Sequence, residues 1–249
     1  MTKARKVVAS IEARMGSTRL PGKVLMDVGG VPALTRLVRR LRRSKELHEI
    51  VLATTTSAAD DALEKWALGE GVKCFRGSED DVLGRVCGAH AMMESDVIVE
   101  VTGDAILLDS EVIDMGVRIY RENNFDLVSN SWKPGYPQGV DVQVFTRSLL
   151  QEVADTVHDL PVREHVSLYF YENPERYKIC HLLPPSRWER PQLRTQLDYE
   201  EDYRFICAVY AKLEPKYGDA FGVEEVLRLL DQFPELWELN RHCEEKAAR

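Results

Sequence analysis

Short runs rich in β-branched residues alternate with amphipathic helical stretches along the first half of this chain, and that alternation excludes most folds. Residues 6–11, 49–54, 72–75, 96–101 and 126–129 read as strands, and 31–43, 58–68, 80–93 and 110–122 read as helices. Strands that follow one another only through a helix pair in parallel. The rhythm therefore predicts an α/β fold, a mainly parallel central sheet with helices on both faces. Ligands of such sheets bind beyond the carboxyl ends of the strands. The loop at 12–23, the segment after Phe75 and the turn after Val101 all fall at those ends. Three distant stretches are thus expected to line one crevice.

Beyond residue 130 the rhythm changes. Residues 132–138 form a loop bearing Pro and Gly, 140–145 alternate as a strand, and 147–157 and 164–171 read as helices. Residues 177–183 and 193–197 are strand-like, separated by a Pro- and Arg-bearing loop at 184–191, and helices near 201–212 and 223–233 close the chain. The end at 244–249 reads as frayed. No repeat, low-complexity tract or linker divides the 249 residues, so one domain with a substrate-side insertion is expected.

Directly behind the first strand comes Ala13-Arg14-Met15-Gly16-Ser17-Thr18-Arg19-Leu20-Pro21-Gly22-Lys23. Cations, hydroxyls and glycines concentrated in a turn suit a polyanion: backbone N–H groups approach phosphate oxygens at the glycines, and Arg14, Arg19 and Lys23 neutralise charge. The spacing is not that of a P-loop, which has four residues between its glycines and a hydroxyl after its lysine. Here Met15 and Ser17 flank Gly16, Gly22 comes six positions later, and Val24 follows Lys23. The three close glycines of a dinucleotide-binding turn are also absent.

Charge and composition narrow the partners. Lys plus Arg total 33 against 41 Asp plus Glu, a formal net charge of −8, which argues against a general nucleic-acid binder. The cations Arg36, Arg39, Arg40, Arg42, Arg43 and Lys45 spread around a helix and read as its solvated surface. No apolar run approaches the roughly 20 residues of a membrane span, and no secretion signal opens the chain. Cys74, Cys87, Cys180, Cys207 and Cys243 are scattered without a CxxC pair, as expected of reduced thiols in the cytoplasm.

Two aspartates stand out. Asp104 follows the strand 97–101 through Thr102-Gly103, and Asp198 ends the strand-like stretch 193–197. Each also suits a helix cap: Asp104 for the helix from Ser110, Asp198 for the helix that follows it. Asp202, one turn later, reads as a capping or pairing residue. A magnesium ion on a triphosphate takes one or two protein carboxylates besides phosphates and water, which two aspartates at separate strand ends would supply.

The loop 13–23 resembles the opening signature of the sugar-acid cytidylyltransferases that make CMP-activated 3-deoxy-octulosonate and neuraminate, and most of all the branch of spore coat polysaccharide biosynthesis protein F. The resemblance extends over nearly the whole chain, through Ala53-Thr54-Thr55, Phe75-Arg76-Gly77-Ser78, Thr102-Gly103-Asp104, Tyr136-Pro137-Gln138-Gly139-Val140-Asp141, Arg163-Glu164-His165 and Asp198-Tyr199-Glu200-Glu201-Asp202. It implies a Rossmann-like, glycosyltransferase-A-like nucleotidyltransferase fold, with residues 1–130 binding nucleotide and 131–249 binding the acceptor and closing the site. It implies transfer of CMP from CTP to an acidic sugar with release of pyrophosphate, Mg2+ as cofactor, and a homodimer. Ala13, Arg14, Gly16, Ser17, Arg19, Lys23, Thr54, Arg76 and Ser78 would bind CTP. Arg14, Lys23, Asp104 and Asp198 would be catalytic, the two aspartates holding the metal. Arg85, Tyr136, Gln138, Asp141, Glu164 and His165 would face the acceptor. Arg76 and Arg85 could instead pair with Glu79, Asp80 or Asp81. Three positions depart from the branch: Glu12 replaces Gln, Glu100 replaces Arg, and Ile106 replaces Pro. Two other readings stay open. A metal-dependent glycosyltransferase would need an Asp-x-Asp motif, where this chain has Asp104-Ala105-Ile106. A non-catalytic nucleotide-binding homologue would bind without turnover.

Overall fold

The computed structural model describes residues 5–244, so the expected fraying of 244–249 lies almost wholly outside the described residues. Val7–Glu12 (β1), Glu49–Thr55 (β2), Lys73–Gly77 (β3) and Val97–Thr102 (β4) are parallel neighbours. Leu127–Ser129 (β5), Gln143–Thr146 (β6) and Ile179–His181 (β7) extend the sheet, which runs β3-β2-β1-β4-β6-β5-β7. Only β6 runs antiparallel to its neighbours, β4 and β5.

The central strands are apolar almost without interruption because both of their faces are covered. Val7, Ala9 and Ile11 pack on one face against Ala33–Leu41 (α1), Asp61–Glu70 (α2), Ser110–Glu122 (α4), Glu200–Tyr217 (α8) and Val223–Gln232 (α9). Val8, Ala53 and Ile98 pack on the other against Val82–Met92 (α3), Arg147–Thr156 (α5), Leu160–Glu164 (α6) and Leu168–Glu172 (α7). The mainly parallel sheet with helices on both faces is as the βα alternation predicts.

Several expectations are corrected. Residues 193–197 form no strand: Arg194 makes an isolated bridge with Gln138, and Leu197 N donates to Asp104 O. Their apparent alternation breaks down because Arg194 and Thr195 are buried along with Leu193 and Leu197. The helix expected over 164–171 begins only at Leu168, as α7, while Glu164 ends α6. His165 adopts an extended conformation, and the intervening Ser167 turns its hydroxyl onto Glu100 of β4. The strand expected from 140 starts only at Gln143, since Asn130 ties down Val140 O and Val142 N with its own side chain.

The basic stretch on α1 is also not simply a solvated surface. Arg36 and Arg40 are buried. Arg36 meets Glu214 at 2.6 Å and the carbonyl of Val28 at 2.9 Å. Arg40 donates to the carbonyls of Leu108 and Phe221, each at 2.6 Å, and stacks over the Phe221 ring. These guanidiniums hold together the loops that lead into α4 and α9.

Candidate active site

A cleft of about 810 Å³ opens beyond the carboxyl ends of β1 and β4. The loop after β1 forms one wall. Its backbone is pinned where Met15 N donates to Asp60 at 2.7 Å and Gly22 N to Met15 O at 3.0 Å. Gly22 has φ +72°, a left-handed conformation that favours glycine, and it turns the chain so that Lys23 enters the cleft from below. Ser17 Oγ accepts a bond from Leu20 N at 3.3 Å, closing the tip of the loop.

Asp104 comes from the turn after β4. Gly103 N donates to Glu12 O at 2.9 Å, and a Cβ at Gly103 would lie 2.8 Å from that same oxygen. Only glycine lets this turn rest so closely on β1. Thr102 Oγ1 donates to Asp104 Oδ1 at 2.6 Å and orients the carboxylate.

Asp198 reaches the same point from the segment before α8. It is not the cap of that helix, because Asp202 has the role: its Oδ2 accepts from Asp198 N and Tyr199 N, each at 3.0 Å. Arg194 and Asn240 hold Asp202 in turn. The Asp198 carboxylate is thereby left to the cleft. The bond from Leu197 N to Asp104 O, at 2.9 Å, ties the two aspartate-bearing segments together.

Lys23 Nζ lies 2.9 Å from Asp104 Oδ2 and 2.8 Å from Asp198 Oδ1, and Arg19 adds a contact of 2.5 Å to that same Asp198 oxygen. Burial disfavours the Lys23 ammonium, but the two carboxylates outweigh it and raise its pKa. Burial likewise disfavours the Asp198 carboxylate, yet Lys23 and Arg19 hold its pKa below the usual range. Two carboxylate oxygens converging on one cation form a donor set suited to a hard metal ion. No group of three or more His, Cys, Asp or Glu suited to a metal occurs among the described residues.

Of the residues singled out in the sequence, Ala13, Arg14, Ser17, Arg19, Lys23, Arg85, Asp104, Asp141, Glu164, His165 and Asp198 line this cleft. Gly16, Thr54, Arg76, Ser78, Tyr136 and Gln138 are not among its lining residues. Thr54 is buried in β2. Arg76 is engaged with Asp61 and Glu64 and with the carbonyls of Thr55 and Ser57, rather than with Glu79, Asp80 or Asp81. Ser78 gives its carbonyl to Arg85 at 2.7 Å. Tyr136 is buried edge-on to Trp188. Gln138 bonds the carbonyl of Pro191 and accepts from Arg194.

The geometry also joins two positions that the sequence showed only as separate departures. β1 and β4 pair with Ser10 opposite Glu100 and Glu12 opposite Thr102, so Glu12 and Glu100 are diagonal neighbours on one face. Burial, reinforced by Glu100, raises the Glu12 pKa against the opposing charge of Arg85. Burial pushes Glu100 to about 7, opposed by the Ser167 hydroxyl and aided by Asp141. Gln196 and Leu160 line the cleft as well, and no motif marks them in the sequence.

Comparison with known proteins identifies the family and the fold. A family model described as cytidylyltransferase matches residues 8–232. An uncharacterized protein of Methanocaldococcus jannaschii is 36% identical over 98% of each chain. The spore coat polysaccharide biosynthesis protein SpsF of Bacillus subtilis is 34% identical over 90% of this chain and 94% of its own. The solved structure of a cytidylyltransferase from Leptospira borgpetersenii superposes with a TM-score of 0.89 at 29% identity, covering 98% of this chain and all of that one (100%). The sheet and its helices are thus a Rossmann-like nucleotidyltransferase fold.

Proposed function

The chain belongs to the cytidylyltransferase family, and on that premise we propose that it transfers CMP from CTP to a 3-deoxy-ulosonate-like sugar acid or related acceptor, releasing pyrophosphate for surface polysaccharide or glycoconjugate synthesis. The observation that carries the reading is the meeting of Lys23, Arg19, Asp104 and Asp198 at one point of the cleft. Phosphoryl chemistry of this kind asks little covalent work of the protein; positioning and charge neutralisation dominate.

A hydroxyl of the acceptor attacks the α-phosphorus in line with the departing pyrophosphate. Arg14, Arg19 and Lys23 neutralise the charge that grows on the leaving group, and Ser17 adds a hydroxyl at the tip of their loop. Asp104 and Asp198 would hold magnesium, which when bound lowers the pKa of the attacking hydroxyl and offsets phosphate charge. Arg85, with its guanidinium at the cleft wall, meets phosphate or the acceptor carboxylate, while Asp141, Glu164 and His165 accept and donate to acceptor hydroxyls. Arg76, Ser78, Tyr136 and Gln138 support the walls through the contacts described above. The same reading takes the protein as a cytoplasmic homodimer of one-domain chains, divided near residue 130 into nucleotide and acceptor halves.

The test is magnesium-dependent pyrophosphate release from each common nucleoside triphosphate against a panel of 3-deoxy sugar acids, amino-sugar acids, phosphonates and sugar 1-phosphates. Release with CTP alone, and only when an acceptor is present, supports the reading. Binding of CTP without release across the panel would instead mark a non-catalytic homologue.

A further inference from the structure

We propose that Lys23, assisted by Arg19, is a resident counter-cation that keeps the Asp104–Asp198 pair closed to divalent metal until a nucleoside triphosphate draws the loop cations away. The inference rests on the reading that these aspartates hold the metal. Lys23 is buried, and its ammonium sits between the two carboxylates at 2.9 and 2.8 Å. Arg19 reaches the same Asp198 oxygen at 2.5 Å and leans over the Tyr199 ring. Arg194 reaches the other Asp198 oxygen at 3.5 Å, and the lysine ammonium is the cation that touches both aspartates.

A divalent ion entering this site alone would confront a desolvated ammonium with nowhere better to go. Leaving the lysine in place sets like charges side by side in a buried site; expelling it strands an ammonium away from its partners. A triphosphate changes the exchange. Lys23, Arg19 and Arg14 belong to the same loop on the same cleft wall, so phosphate oxygens offer the ammonium new partners within reach of its flexible stem. The carboxylates released by that move become available to the metal. Nucleotide and metal then strengthen each other's binding, and by linkage the effect is equal in both directions. A lysine that served only to grip phosphate would not oppose metal binding in the nucleotide-free protein.

Binding of Mn2+ to the nucleotide-free full-length protein, followed by the loss of the free-ion electron paramagnetic resonance signal, separates these roles. Lys23→Met is expected to tighten Mn2+ binding by about tenfold without nucleotide, and Arg19→Gln by a smaller factor, near threefold. Adding Asp104→Asn to Lys23→Met should abolish the gain. Arg19 is the more exposed of the two cations, so its variant keeps the inference open to refutation even if Lys23→Met folds poorly. Unchanged or weaker Mn2+ binding in both variants overturns the inference. If, in addition, Asp104→Asn alone costs the CTP-bound protein its Mn2+, the metal assignment stands and only the counter-cation role falls. If Asp104→Asn leaves Mn2+ in the CTP-bound protein untouched, the metal assignment falls and the inference with it.

Discussion

Lys23 and Asp104 stand within 2.9 Å of each other, yet the proposed reaction assigns them to opposite sides of the transferred phosphoryl group. Lys23→Ala removes charge from the pyrophosphate side and Asp104→Asn from the metal side. Each is expected to lower turnover more than a hundredfold, about 3 kcal/mol in activation free energy, as for other electrostatic contacts made to the reacting centre. Single-turnover pyrophosphate release measures this, and near-normal rates in either variant would remove that residue from the mechanism. Glu100 has a different signature. Burial raises its pKa from 4.5 to about 7, so the folded protein holds that proton more tightly than the unfolded chain. Its stabilising contribution is complete below the ordinary carboxyl pKa and is lost as the pH climbs through 7. Glu100→Gln should therefore flatten the decline in stability between pH 5 and pH 8, by about 2 kcal/mol, in urea unfolding at the two pH values. A parallel decline in the variant would show that Glu100 ionises freely in the fold. Arg40→Met tests a structural cation: it leaves the carbonyls of Leu108 and Phe221 without their buried donor, a loss of about 3 kcal/mol in the same unfolding measurement.

At the scale of elements, the site depends on close joints. The turn after β4 lies against β1 because Gly103 has no side chain; a Cβ there would approach Glu12 O at 2.8 Å and Ala13 Cβ at 2.9 Å. Gly103→Ala must push Asp104 and the loop 13–23 apart. It is expected to cut turnover by about a hundredfold, since small displacements of reacting groups are costly. The accompanying stability loss should be only about 2 kcal/mol. Equal turnover in the variant would mean the two segments need no fixed spacing. The βα units that bring these joints together were legible in the sequence. Strands covered on both faces are nearly all apolar, and helices such as α4, 110–122, carry a one-sided apolar pattern, although Asp109 caps that helix and Asp104 does not. Residues 193–197 were misread because Leu193 and Leu197 suggest an alternating strand, whereas Arg194 turns inward to Asp202. Arg36 and Arg40 were misread for a similar reason: an arginine on a helix reads as solvated unless its carbonyl and carboxylate partners, far along the chain, are known. Lys23, Asp104 and Asp198 were found by motif, but their convergence through a single ammonium, and the joining of Glu12 to Glu100 across β1 and β4, exist only in three dimensions.

Across the whole molecule, the four parallel strands β1 to β4 deliver the cationic loop and Asp104 to one edge of the sheet, while α8 and the segment before it return Asp198 from the far end of the chain. No helix among the described residues is long and apolar enough to cross a membrane. A cleft built from both ends of the sequence places the cationic loop 13–23, the two aspartates, Asp141, Glu164 and His165 around one volume. The most direct test of nucleotidyl transfer there follows the α-phosphate itself. The protein is incubated with magnesium, a sugar-acid panel and CTP labelled at the α-phosphorus. The label is expected to move into an acid-linked CMP product in step with pyrophosphate release. Label that stays in CTP across the panel, together with release of free nucleoside diphosphate from a sugar nucleotide, would contradict it and identify a glycosyltransferase.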